Sequence, residues 1–197
     1  MELLLNGLTF DLRGLTPAAP TGPPPIRHRY GLAADADVSP VEAVALAPGP
    51  HLGAGRAMPP VIRGAAALAA SLAELEGVRE VCWHAAGSAV GRDLFVTSVA
   101  AWLGGGAFPA LGLTSLFASG GRLCSEGLTL FIGQELCVEP GGGSPADDAK
   151  LALRLIDRLV AHGRVTAPAV WPLDATSELR LEPDKSTNTV RAWRRNV

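Results

Sequence analysis

The sequence predicts an α+β fold, a mostly antiparallel sheet with about three helices. Short segments of alternating apolar and polar residues recur along the chain, as half-buried strands require. Between them lie Ala- and Leu-rich segments of helical period, closed by glycine. The 23 Gly and 16 Pro among 197 residues show no fixed period, which indicates many turns rather than a fibrous chain.

Taken in order, residues 3–12 fit a first strand, with Leu8, Phe10 and Leu12 alternating with Thr9 and Asp11. Residues 16–25, TPAAPTGPPP, hold no core-forming run. They read as a loop or polyproline arm that crosses the surface or reaches a neighbouring molecule. Val41 to Leu46 suits a short strand ending at Pro48-Gly49-Pro50, and a loop follows. Pro59 and Pro60 stand at the start of a helix, where proline costs least. That helix runs over Val61 to Glu76 with Ala65, Leu68, Leu72 and Leu75 on one face, and Gly77 closes it. Val78 to Trp83 is a strand. Gly91 to Leu103 admits two readings: a helix capped by Asp93, or a strand from Leu94 to Val99. The helix is preferred.

Leu111–Ala118 and Leu128–Val138 read as strands, separated by Gly120-Gly121 and Gly127. Ser144-Pro145-Ala146-Asp147 carries a full helix start signal: Ser at the cap, Pro at the first position and an acid three residues on. Ala149, Ala152, Leu155, Ile156, Leu159 and Val160 form its apolar stripe, and Gly163 ends it. Residues 177–194 alternate around Pro183-Asp184 as a final hairpin. The order β, β, α, β, α, β, β, α, β, β suits one domain over 1–197. Two split βαβ units on a shared sheet, with helices on one face, is an economical arrangement.

Seventeen basic residues against nineteen acidic ones give a net charge of −2. Nucleic-acid domains need a basic excess to neutralise phosphates, so nucleic acid is not an expected partner. The apolar N-terminal segment lacks a basic stretch and meets Asp11 at once, unlike a signal peptide. The longest apolar stretch, Leu94 to Leu116, is broken by Gly104, Gly105, Gly106 and Pro109, so no membrane span is expected. Cys82, Cys124 and Cys137 are odd in number and lack a short pairing. They read as buried, reduced thiols of a cytoplasmic protein.

Five places could carry chemistry. His84 and Ser88 follow a predicted strand end and could act as base and nucleophile. The GSAVG around Ser88 is not the G-x-S-x-G of a nucleophile elbow, and no orienting acid is in view. The blander alternative is that both satisfy backbone groups. His28, His51, His84 and His162 are scattered without metal-ligand spacing, so neither a metal nor a cofactor is expected. The Gly-rich GPHLGAGR before the first helix departs from both phosphate-binding fingerprints, yet its Arg56, or Arg63 in the helix that follows, could hold an anion. Glu135 stands in a strand apolar on both faces, so its carboxylate either points inward with a task or lies on the solvent side. Arg191, Arg194 and Arg195 around Trp193 form a basic end, fit for an anion or a partner, or simply solvated.

VREVCWHAAGSAV (78–90) and GLTLFIGQELCVEP (127–140), followed by a capped helix, resemble a family of uncharacterised bacterial proteins. In that pattern an apolar strand with Trp precedes a Gly-Leu…Phe-Gly…Glu strand. Here Ile132 separates the phenylalanine from the glycine. The resemblance covers about the middle hundred residues. It implies an intracellular α+β domain and supplies no catalytic residue.

The expected function is a non-enzymatic binding or protein-interaction module that self-associates as a homodimer or meets an unidentified protein partner. Sparse polar chemistry and strands apolar on both faces motivate it. Two alternatives stand: a small hydrolase-like enzyme using His84 and Ser88 with Glu135, and a sensor of an anion or small metabolite at Arg56 or Arg63.

Overall fold

The computed structural model describes residues 1–32, 42–142, 144–173 and 176–196. They fall into two compact units, Met1–Ala107 and Phe108–Val197.

The first unit contains β1 (Glu2–Leu5), β2 (Leu8–Arg13), β3 (His28–Tyr30), β4 (Ala45–Pro48), α1 (Pro59–Ala73), β5 (Glu80–Trp83), β6 (Ser88–Gly91) and α2 (Arg92–Leu103). The single strand expected over 3–12 is a hairpin. Asn6 and Gly7 both take positive φ, 51° and 79°. That is the geometry of a tight hairpin turn, which Asn-Gly favours. β4 pairs on the other side of β2, giving the order β1-β2-β4. It starts later than expected, and Val41 lies outside the described residues. The loop after it forms a short 3-10 helix, Pro50–Gly55. The Pro-rich stretch stays irregular apart from a bridge between Thr21 and Ala43.

α1 begins at the two prolines, as expected, and buries Val61, Ile62 and Ala66. It approaches β2 closely because residue 64 is glycine. A Cβ there would stand 2.9 Å from the Phe10 ring. The helix reading of 91–103 holds, but Gly91 is its cap and Asp93 lies exposed in the first turn. A second sheet has the order β3-β6-β5, with β3 parallel to β6. Every residue of β6 is buried.

The second unit contains α3 (Ala110–Leu113), β7 (Ser115–Ser119), β8 (Arg122–Glu126), α4 (Thr129–Ile132), β9 (Glu135–Val138), α5 (Pro145–His162), β10 (Ala169–Pro172), β11 (Ser177–Asp184) and β12 (Thr189–Asn196). Two expected strands each split here. The stretch 111–118 opens with the helical turn α3, and 128–138 opens with α4. α4 ends at Gly133, whose positive φ of 71° breaks the extended run. Arg122–Glu126, expected only as a separator, is a strand.

α5 starts with the expected capping box between Ser144 and Asp147. Asp147 takes the Ser144 hydroxyl as well as its backbone N–H, and these bonds lower its carboxyl pKa. The buried stripe is Leu151, Ala152, Leu155, Ile156 and Leu159. It packs on β8 and β9. The six strands run β10-β11-β12-β9-β8-β7. Leu136, Val138, Leu179, Leu181, Val190 and Ala192 are buried on the α5 side.

Among the described residues the shared sheet of two split βαβ units is thus replaced by three sheets. Two of them are mixed rather than mostly antiparallel, because β3 runs parallel to β6 and β12 parallel to β9. Among the described residues the helices comprise α1, α2 and α5 plus the single turns α3 and α4 and two 3-10 segments, more than the expected three. No helix among the described residues is long and apolar enough to cross a membrane.

Cys124 and Cys137 are joined as a disulfide rather than held as separate thiols. The pairing of β8 with β9 places the two directly opposite each other, with Cα atoms 4.1 Å apart. Such a short separation belongs to a non-hydrogen-bonded antiparallel pair, where side chains meet. Sequence spacing gave no sign of this, because the partner strand was not recognised.

Candidate functional site

His84 opens the 3-10 turn His84–Ala86 that joins β5 to β6, and its side chain is exposed. Ser88 sits at the start of β6 with no exposed surface, and its Oγ has no hydrogen-bond partner. No hydrogen bond joins the two. Across the strand pair Ser88 faces Trp83, whose Nε1 is likewise buried without a partner. A nucleophile must reach its substrate and hand its proton to a base. Ser88 is sealed from solvent, and no base is hydrogen-bonded to its Oγ.

Glu135 belongs to the second unit, and its carboxylate takes its bonds there. It accepts the backbone N–H groups of Gly127 at 3.0 Å, Leu128 at 3.2 Å and Thr129 at 3.0 Å. It also accepts the Ser125 hydroxyl at 2.5 Å, and Ser125 Oγ in turn accepts from Leu136 N. The three amides open the turn of α4, so the acid holds that turn against β9. Carboxylates suit such donors because a charged acceptor strengthens each bond. Glu135 shares the Cys137 side of β9, opposite the buried Leu136 and Val138, and its carboxylate has a structural task there.

Arg56 follows the 3-10 helix and is exposed. Arg63 is turned inside its own unit. It donates to the Leu103 carbonyl at 3.1 Å and lies 4.5 Å over the Trp102 ring. A cation at a helix C-terminus satisfies carbonyls the helix leaves open. An open cleft of about 360 Å³ includes Gly31, Arg79, Gly91, Arg92 and Asp93 in its lining and none of the expected site residues. Among the described residues no group of three His, Cys, Asp or Glu side chains could hold a metal ion.

The sulfur chemistry is uneven. Burial, reinforced by the Glu80 carboxylate, pushes the Cys82 thiol up to about 11, so it is a poor nucleophile near neutrality.

The most distinctive surface is the face of the six-stranded sheet turned away from α5. Strand alternation and register define it. One row crosses Val170, Arg180, Trp193, Glu139 and Arg122. The next crosses Glu182, Arg191, Cys137, Cys124 and Phe117. Trp193 is half-buried, with the guanidinium carbons of Arg180 and Arg191 at 5.8 and 5.9 Å from its ring centroid. Glu139 binds Arg191 at 3.0 Å and Arg122 at 3.3 Å. Val170 is 55% exposed and Phe117 37%. The basic end noticed in the sequence contributes Trp193, Arg191 and Arg195 to this face, while alternation sends Arg194 to the other. Arg180 and Glu139 were missed. Only the strand pairing brings them beside Trp193.

Compared with protein-family models, curated proteins and solved structures, the chain matches none significantly.

Proposed function

We propose that the protein is a non-enzymatic binding module that self-associates through the open face of its six-stranded sheet. The observation that carries this reading is Trp193, half-buried between Arg180 and Arg191 on that face. Trp and Arg dominate the energetic centres of protein interfaces, since each buries apolar area while offering polar contacts.

Charge supports a second copy as the occupant. The outward residues of β11 are Glu178, Arg180, Glu182 and Asp184, and those of β12 are Thr189, Arg191, Trp193 and Arg195. An acidic column thus lies beside a basic one. A two-fold axis near the β11–β12 seam sets each column over its opposite on the partner, as a self-complementary interface requires. The mixture of signs suits protein better than nucleic acid. The enzyme reading has less support, because Ser88 is buried and the Glu135 carboxylate is occupied.

Sedimentation equilibrium over a wide concentration range tests the proposal. The expected result is a reversible dimer, with Trp193→Ala weakening association by about thirtyfold or more, the scale of an interface hot spot. A strict monomer at the highest concentration, or a Trp193→Ala variant that dimerises as before, overturns it.

A further inference from the structure

We propose that Cys124 and Cys137 form a thiol–disulfide exchange site, attacked at Cys137, whose reduction weakens self-association. The regulatory consequence rests on the docking reading above; the exchange chemistry does not.

The position of the bond motivates the inference. The pairing of β8 with β9 is the shortest ladder in the six-stranded sheet, with two register pairs, Leu123 with Val138 and Cys124 with Cys137. By contrast β7 and β8 share five pairs, and β11 and β12 share eight. The disulfide therefore ties the β7–β8 hairpin to the rest of the sheet where the backbone ties are fewest. On the open face it lies in the row between Phe117 of β7 and Arg191 of β12. Loosening this junction lets the Phe117 side of the face shift relative to the Trp193 side. A flat docking surface then loses its fixed form, and preorganisation with it.

The two sulfurs differ in access. Cys124 is 7% exposed, whereas Cys137 is half-buried. An incoming thiolate reaches Cys137 from the open face, and Cys124 is the leaving sulfur. With a dithiol reductant the first thiolate forms a bond to Cys137 Sγ. The Cys124–Cys137 bond breaks, its electron pair goes to Cys124, and that thiolate takes a proton. The second thiol of the reductant then displaces Cys137 as a thiol and closes its own disulfide. The reductant loses two electrons, and the protein gains two S–H groups. Attack takes place on the free protomer, so assembly protects the bond.

The test uses the full chain. Thiol titration in denaturant is expected to find one thiol, Cys82, before reduction and three after it. Brief native treatment with glutathione, acid quenching and peptide mass analysis is expected to find glutathione on Cys137 and not on Cys124. Circular dichroism of the dithiothreitol-reduced protein is expected to stay native-like. Its sedimentation is expected to show loss of dimer. Glutathione on Cys124, no reduction without denaturant, or unfolding on reduction each overturn the exchange site. Dimerisation equal in both redox forms removes the regulation and leaves the docking reading intact. A monomer in both forms removes the docking reading and its regulation together, with the glutathione result still deciding the chemistry.

Discussion

At the scale of single residues, Glu135 shows how a polar group can be conspicuous in the sequence and still conceal its task. An acid in an apolar strand was legible as unusual. Its donors were not, because Leu128 and Thr129 read as more of the same strand and Gly127 only as the break before it. The carboxylate accepts three amides and one hydroxyl. Glu135→Gln replaces one oxygen by an NH2 group, which turns donors toward donors. Leaving a half-buried amide without its acceptor costs about 1–3 kcal/mol. A urea denaturation midpoint lowered to match, with an unchanged slope, is the expected outcome. An unchanged midpoint removes the carboxylate from any role in holding α4. Ser88 makes the reverse point. Its residue type suggested a nucleophile, and only burial on both faces of β6, a property of packing, took it out of reach.

At the scale of elements, the long helices were legible and the short ones were not. α5 has a capping box, five buried positions at helical spacing and a closing glycine, so local and tertiary signals agree. A four-residue turn such as α3 or α4 is too short to show any period, and its apolar residues pass for a strand. The final hairpin was legible from alternation, but its turn lies beyond Pro183-Asp184. There Asp184 accepts from Ser186 Oγ at 2.6 Å and from the Ser186 and Thr187 amides. The Ser186 hydroxyl bond, followed by its amide, lowers the Asp184 carboxyl from 3.8 to about 2. A carboxyl depressed in the folded state contributes stability above its unfolded pKa and loses it as pH falls through the folded one. The Asp184 contribution is therefore whole above about pH 4 and fades toward pH 2. The Ser186 amide resonance is expected to shift with an apparent pKa near the folded value. Asp184→Asn is expected to abolish that titration while the turn persists. A midpoint at the unperturbed value means that these bonds do not hold the carboxylate.

At the scale of the whole molecule, the mixture of helices with strands was legible, and the grouping of strands into three sheets was not. Alternation says which side of a strand is buried, but not which strand lies next to it. The parallel pairs of β3 with β6 and β9 with β12 join segments far apart in sequence, and no local signal announces them. The second unit has a core of its own, formed by α5 and the six-stranded sheet. A compact unit with its own core can fold alone. A chain beginning at Phe108 is accordingly expected to unfold cooperatively in urea and to keep the Cys124–Cys137 bond. A non-cooperative transition, or scrambled thiols, contradicts that independence.

The strand order of the second unit also bears on how the protein is made. β12 lies between β9 and β11, so β9 has its outer neighbour only once residues 189–196 have left the ribosome. Until then β7, β8 and β9 can pair among themselves and pack against α5, with one flank of β9 bare. An unpaired strand edge is a template for another chain. Nascent copies on neighbouring ribosomes thus expose the β9 edge until β12 pairs with it, which makes any holdase that shields β9 a determinant of how much protein reaches the native state.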